Sequence, residues 1–258
     1  MAHNSFAMPT AFKNLLYDHP EFYEVLYPEP NDETPAMCRR MFERYLSAPP
    51  ASVLDIGCGT GRDLRSLHRT YPYCVGIDLL PNVIEYARSQ AKDIEFRVGN
   101  MRDIRLGRTF DAVICFGSAL LYALTNEDID KTLATFAAHS HAGSLLILDV
   151  RNASALLGDG FKVRIEGDVR SSLLSAHYVV EHSLNRRKQL LIRKRTWNMP
   201  DATTAEDYCE YRLLFPQEIE QRLSTVGFRV LGMFDNHNLR ETDFTGPTIY
   251  IAAKYVGR

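Results

Sequence analysis

The chain has 258 residues, 45% of them hydrophobic and 24% charged, enough to bury one sizeable core or one core with an added subdomain. Its formal net charge of -2 gives no general attraction to nucleic acid or anionic lipid, so neither is expected as a partner. No apolar run reaches membrane-spanning length and the opening MAHNSFAMPTAFKNLL lacks the basic-then-apolar order of a secretory signal, which makes a cytoplasmic location the expectation.

Before residue 50 the chain reads as helices laid over a core. From residue 52 short β-branched runs alternate with amphipathic ones, as a parallel sheet with crossover helices requires. SVLDIG predicts a first strand and Arg62 to Thr70 a helix. YCVGIDL predicts a second strand, closed by Pro81, a residue that suits a first helical turn. NVIEYARSQA then places Val83, Ile84 and Ala87 on one helical face. IEFRVGN, FDAVICFG and SLLILDV predict three more strands, with a helix from Asp128 to Ser140 between the last two. All five strands are nearly continuous in apolar character, as in a sheet covered on both faces, so a doubly wound α/β core is expected.

The texture changes beyond Arg151. Between Phe161 and Met199 the stretches HYVVEHSL and QLLIRKRTW are extended, with no crossover helix between them, and predict a small inserted antiparallel sheet. PQEIEQRLSTVGF restores the helical period between Pro216 and Gly227, and RVLGMFD and TIYIAAKYV predict the last strands. Cys38, Cys58, Cys74, Cys115 and Cys209 are odd in number and never in CxxC spacing, so neither a disulfide framework nor a zinc site is suggested.

The densest signal is VLDIGCGTGRDL, Val53 to Leu64. Gly57, Gly59 and Gly61 at alternate positions after a strand permit positive φ and close approach of backbone to a ligand. Asp78 ends the second strand, where a carboxylate can accept both hydroxyls of a ribose. Asn100 and Met101, in VGNMRDI, can meet an adenine edge and plane. A dinucleotide would satisfy these three points too, but its usual glycine spacing is GxGxxG. Here the spacing is GxGxG after Asp55, and an acid at that mouth repels a diphosphate but suits an ammonium or sulfonium.

VLDIGCGTG, GIDLLPNVIEYAR, GNMRDI and FDAVICFGSALLY together resemble the four successive cofactor motifs of class I S-adenosylmethionine-dependent methyltransferases, over about residues 50 to 152. The resemblance implies a Rossmann-like, seven-stranded, mostly parallel sheet with its last strand antiparallel. It divides the chain into an N-terminal helical lid (1–50), an S-adenosylmethionine-binding core (51–152), an antiparallel β insertion (153–213) and the rest of the core sheet (214–258). It implies S-adenosylmethionine as methyl donor and S-adenosylhomocysteine as product, held by Asp55, Gly57, Cys58, Gly59, Asp78, Leu79, Asn100, Met101 and Phe116. FGSALLYAL followed by AGSLLILDVRNASALL is similar to the glycine/sarcosine N-methyltransferases and to aminosugar N-methyltransferases of antibiotic pathways. In the glycine enzymes the matching arginine grips a substrate carboxylate, which Arg151 would do here through its planar fork; the alternative is that Arg151 caps its strand or bridges to Asp149. Two departures stand out: Asn100 replaces the aspartate of GDM, and Ser118 the asparagine of GNS.

Methyl transfer from a sulfonium is an in-line displacement, so alignment and exclusion of water matter more than a strong base. No motif supplies a dedicated base, and none of the eight histidines sits in a catalytic pattern. His139 and His141 are expected to end a helix, where basic side chains suit its dipole. Tyr17, in the expected lid, and Tyr122 are the candidate catalytic hydroxyls; Tyr17, Tyr27, Phe116, Tyr122 and Arg151 are the candidate acceptor-site residues, and no metal ligands are expected. Arg186, Arg187, Lys188, Arg193, Lys194 and Arg195 flank QLLI as in a hairpin and read as solvated strand residues rather than a phosphate track. The expected activity is N-methylation of a small-molecule amine. O- or C-methylation on the same scaffold is the nearest alternative, and a non-catalytic S-adenosylmethionine-binding module a second. Similar enzymes often associate, which leaves a homo-oligomer open.

Overall fold

The computed structural model describes residues 14–28, 32–158 and 161–257. The first 13 residues, with His3 and the opening read above for a secretory signal, lie outside the described residues. The chain forms two compact units: Met1–Pro28 with Lys162–Tyr211, and Glu29–Phe161 with Arg212–Arg258.

The larger unit runs α3 (Glu33–Tyr45), β1 (Ser52–Ile56), α4 (Arg62–His68), β2 (Tyr73–Asp78), α5 (Pro81–Gln90), β3 (Glu95–Val98) and β4 (Phe110–Cys115). A 3-10 turn (Ala119–Tyr122), α6 (Asn126–Ala138), β5 (Ser140–Arg151), α7 (Ala153–Leu156), α8 (Pro216–Thr225), β10 (Phe228–Phe234) and β11 (Thr248–Tyr255) follow. Its strands form one sheet in the order β10-β11-β5-β4-β1-β2-β3. β1 pairs parallel with β2 and β4, β2 with β3, and β4 with β5. β11 runs antiparallel to both β5 and β10. The inner strands earn their place by burial on both faces: Val53, Leu54, Ile56, Ala112 to Cys115 and Leu145 to Leu148 are all fully enclosed. Strand order reverses between β1 and β4, and in open α/β sheets ligands bind beyond the carboxyl ends of the strands at such a switch point.

Local chemistry fixes the helix ends. Pro81 opens α5, and Val83, Ile84 and Ala87 on its inner face are buried. α6 begins at Asn126, ahead of the expected Asp128, because the Thr125 hydroxyl accepts the Asp128 N–H. α3 buries Met37, Cys38, Met41 and Phe42 in the core of this unit. The segment before residue 50 therefore divides, its later part packing in the larger unit and residues up to Pro28 falling in the smaller one.

His139 at the end of α6 departs from the expected cation. Its Nδ1 lies 2.8 Å from the Thr135 carbonyl, and its Nε2 lies 3.0 Å from the Leu106 N–H. A backbone N–H only donates, so Nε2 accepts, Nδ1–H donates, and the ring is neutral. Burial lowers its pKa against the Thr135 bond, and the Arg105 and Arg108 charges lower it further.

The smaller unit contains α1 (Leu15–Asp18), α2 (Pro20–Leu26) and a sheet of β6 (Arg164–Arg170), β7 (Ser175–Asn185), β8 (Leu190–Asn198) and β9 (Thr204–Arg212), in that order. β6 and β7, and β7 and β8, pair antiparallel, the latter as a hairpin closing at Asn185 and Leu190. Leu16, Val169, Leu174, Ala176 and Trp197 form its core. The reading of the basic run as solvated fails at two positions, for Arg193 is 8% and Arg195 3% exposed. Arg195 donates to the Tyr27 hydroxyl at 2.7 Å, lies 3.8 Å from the Asp207 carboxylate and sits 4.8 Å from the centre of the Trp197 ring. Arg193 donates to Cys209 Sγ and lies over the Tyr211 ring. Period-2 alternation puts 193, 195 and 197 on one face of β8, and aromatic rings and an acid there make burial of guanidinium groups tolerable.

Candidate active site

The site is built at the carboxyl ends of β1, β2, β3, β4 and β5, all within the larger unit. β1 leaves its sheet through Gly57, Gly59 and Gly61, at φ of 88°, 52° and 75°. Their surroundings sort them. A Cβ on Gly57 would stand 2.6 Å from the Ala119 Cβ, and one on Gly61 would stand 2.6 Å from the Phe96 ring. A Cβ on Gly59 would meet nothing within 4 Å. Two glycines thus serve internal packing, and Gly59 alone of the three turns a bare backbone toward open space.

Asp78, at the end of β2, accepts the Gly59 N–H at 3.0 Å through Oδ2 and the Leu80 N–H at 3.0 Å through Oδ1. The carboxylate expected at a ribose is therefore also the clamp that holds the glycine turn. Burial raises its pKa, opposed by the bonds from Leu80, Gly59 and Leu79. Leu79 beside it is exposed.

Asp55, one residue before the end of β1, is 3% exposed, and its Oδ1 has no hydrogen-bond partner among the described residues. Burial first, then repulsion from Asp63 and Asp78, pushes its pKa well above the usual carboxylate range. Cys58 is pushed up in the same way, by burial and by Asp55 and Asp78, so it is an inert thiol. Three acids, Asp55, Asp63 and Asp78, thus converge at the mouth of the glycine turn. The sequence pattern does not single out Asp63, although it stands as the seventh residue of GCGTGRDL.

Past β3, Asn100 turns its carboxamide oxygen to the Arg102 N–H at 3.0 Å, which closes the turn carrying half-buried Met101. Arg102 pairs with Asp128 at 2.8 Å and donates to the Tyr122 carbonyl at 3.3 Å, tying this turn to the one after β4. Phe116 and Tyr122 flank that second turn, Phe116 buried and Tyr122 half-buried. Ser118 lies between them at φ of 58° and donates from its N–H and its hydroxyl to the two oxygens of Asp149. Arg151, two residues on along β5, is half-buried, and its charge opposes the burial that raises the Asp149 pKa. Asn152 beside it is structural: its amide donates to the Phe244 and Gly246 carbonyls, holding the loop before β11.

Thus the structure gathers Asp55, Gly57, Cys58, Gly59, Asp78, Leu79, Asn100, Met101, Phe116, Tyr122 and Arg151 on successive carboxyl-end turns of one sheet. Tyr17 and Tyr27 belong to the other unit, on α1 and just after α2. Among the described residues no group of three or more His, Cys, Asp or Glu side chains is arranged to hold a metal, and no helix is long and apolar enough to cross a membrane.

Residues 53–143 match the family model described as a methyltransferase domain. Among curated relatives, a dTDP-3-amino-3,4,6-trideoxy-alpha-D-glucopyranose N,N-dimethyltransferase of Streptomyces venezuelae is 30% identical over 51% of this chain and 56% of its own length. A dTDP-3-amino-3,6-dideoxy-alpha-D-glucopyranose N,N-dimethyltransferase of Streptomyces fradiae is 34% identical over 41% of this chain and 42% of its own length. A glycine/sarcosine N-methyltransferase of Parasynechococcus marenigrum is 35% identical over 44% and 42%. The chain therefore spans about half the length of these three relatives. Among solved structures, an S-adenosylmethionine-dependent methyltransferase from Clostridium acetobutylicum superposes with a TM-score of 0.78 at 16% identity, covering 95% of this chain and 100% of that one. The sugar N-methyltransferase KedS8 from Streptoalloteichus gives 0.76 at 20% identity, covering 97% and 98%. Residues 53–143 thus match the methyltransferase-domain family, and the chain has the fold of the S-adenosylmethionine-dependent methyltransferases, with aminosugar and glycine/sarcosine N-methyltransferases among the proteins it is similar to.

Proposed function

We propose that the chain is an S-adenosylmethionine-dependent N-methyltransferase whose acceptor is a small-molecule amine of the aminosugar kind. The observation that carries the donor is the charge balance of its site: Asp55 is buried against Asp63 and Asp78 beside the open backbone of Gly59. A cationic nucleoside satisfies that balance and a diphosphate worsens it. The donor supplies an electrophilic methyl on a sulfonium. Asp55 compensates the donor's positive charge, Gly59 admits its chain against the backbone, and Cys58 lines the same turn. Asp78 is to accept its ribose hydroxyls with the lone pairs that Gly59 and Leu80 leave open, while Leu79, Met101 and Phe116 supply apolar contact and Asn100 its amide donors. The acceptor class rests on the two aminosugar relatives. A neutral amine needs its lone pair aimed rather than a proton removed, so the chain's task is to orient N–H bonds and exclude water. Tyr122 is the hydroxyl assigned to that orientation, with Phe116 and Arg151 shaping the acceptor's surroundings.

The test is incubation with S-adenosylmethionine and a panel of amines, including nucleotide-linked aminosugars, read by mass spectrometry that locates the added methyl. Methyl on nitrogen is the expected result. Methyl on oxygen or carbon overturns N-methylation, and tight S-adenosylhomocysteine binding with no turnover on any acceptor favours a binding module.

A further inference from the structure

The turn after β4 departs from what its sequence favours, and the departure has a visible cause. Ser118 adopts φ of 58°, a conformation in which an L side chain crowds its own backbone. It is held there by Asp149, the penultimate buried residue of β5, which accepts the Ser118 N–H at 2.8 Å through one oxygen and the Ser118 hydroxyl at 2.9 Å through the other. Both groups are enclosed, Ser118 at 6% and Asp149 at 6% exposure, so the bonds are made away from water. From Ser118 the chain enters the 3-10 turn, whose first bond runs from the Leu121 N–H to the Ser118 carbonyl. The next residue, Ala119, sets its methyl where a Cβ of Gly57 would stand, 2.6 Å away. One carboxylate on β5 therefore fixes the turn bearing Phe116 and Tyr122 in direct packing against the glycine turn on β1.

We infer that Asp149 is a positioning residue, acting through Ser118 to set the distance between the acceptor-side turn 116–122 and the donor-side turn 57–61. It deepens, and rests on, the methyltransferase reading. In-line displacement makes that distance the controlling variable, and a displacement of about 1 Å lowers the rate of a preorganised reaction about a hundredfold. Of the residues assigned to the donor only Phe116 lies on the positioned turn, so the loss falls mainly on kcat rather than on donor binding.

The experiment compares Asp149→Ala, Asp149→Asn and Ser118→Gly by three readouts: amide hydrogen exchange of peptide 116–123, S-adenosylhomocysteine affinity by titration, and kcat and KM for the amine. Asp149→Ala is expected to expose the Ser118 and Leu121 amides and lower kcat about a hundredfold, with a far smaller change in S-adenosylhomocysteine affinity. Asp149→Asn keeps an acceptor for the Ser118 N–H and offers an N–H to its oxygen, so it restores most of the protection and of kcat. Ser118→Gly retains the backbone bond, tolerates positive φ and folds without the hydroxyl, and falls between the two. Wild-type protection and kcat in Asp149→Ala overturn the inference, as does an Asp149→Asn variant as impaired as Asp149→Ala, which would make charge rather than geometry the cause. Should the wild-type protein methylate no amine, the functional reading fails while the exchange measurement still decides the clamp.

Discussion

Among the residues of the donor turn, the three glycines show what a sequence can and cannot disclose. Alternate glycines behind an apolar strand announce positive φ, and all three have it. Which of them faces a ligand depends on what a Cβ would touch, and the touching groups, Ala119 and Phe96, come from remote stretches that no local pattern names. Gly59→Ala is therefore expected to lower stability by about 1–2 kcal/mol, the strain of an L residue at that φ, while S-adenosylhomocysteine binding is lost beyond what the strain accounts for. Gly57→Ala adds a 2.6 Å clash to a similar strain and should destabilise the fold more than Gly59→Ala does. Thermal unfolding paired with titration separates the two; equal stability losses with equal retention of binding would contradict the assignment. Asp55 was legible as an acid at the mouth, but its raised pKa was not, because burial and the neighbouring Asp63 and Asp78 carboxylates arise only on folding.

Elements of the parallel core could be read almost end to end, since strands buried on both faces leave uninterrupted apolar runs and their helices leave a 3.6-residue period. The smaller unit was less legible. β9 carries Glu206, Asp207 and Glu210, which hide it as a strand until Asp207 is seen 2% exposed, accepting the Leu15 N–H at 2.6 Å and the Trp197 ring N–H at 2.8 Å. The same acid lies beside Arg195, which is why a basic run that reads as solvated has two buried members. Asp207→Ala removes an anchor of α1, the indole partner and the counter-charge of an enclosed guanidinium together. It should destabilise the smaller unit by about 3–5 kcal/mol, the range for breaking a buried pair, and speed hydrogen exchange in residues 15–27. Unaltered exchange there would show that α1 and α2 are held by apolar packing alone.

Across the whole molecule, the ionisable groups divide into two sets whose pH responses have opposite signs. Asp111 and Glu95 are enclosed enough for burial to raise them. At Asp111, bonds from Ser52, His141 and the Ala51 N–H prevail, and at Glu95 the pairing with Arg108 and Arg97 does, so both carboxyls end below their ordinary values. Their contribution to stability is present above the unfolded carboxylate pKa of about 4 and is lost as pH falls through the folded values. Asp55, Asp78 and Asp149 are raised by burial, so the folded chain binds their protons more tightly than the unfolded chain does. Their contribution is complete below the unfolded value and is lost as pH rises through the folded ones. The ligand-free protein should therefore lose stability as pH rises above the unfolded carboxylate value. Asp55 is the group with the largest stake, with no hydrogen bond to Oδ1 among the described residues and two neighbouring acids. A cation bound beside it favours the carboxylate, so S-adenosylhomocysteine, whose ammonium carries that charge, should bind with proton release and more tightly as pH rises through the Asp55 value. Ligand at a hundred times its dissociation constant adds about 2.7 kcal/mol, and this increment should grow as pH rises and flatten the decline. Thermal unfolding at several pH values with and without S-adenosylhomocysteine measures it, and Asp55→Asn should abolish the pH dependence of the increment. An increment that stays constant across that range, or shrinks as pH rises, would place the ligand's charge away from Asp55.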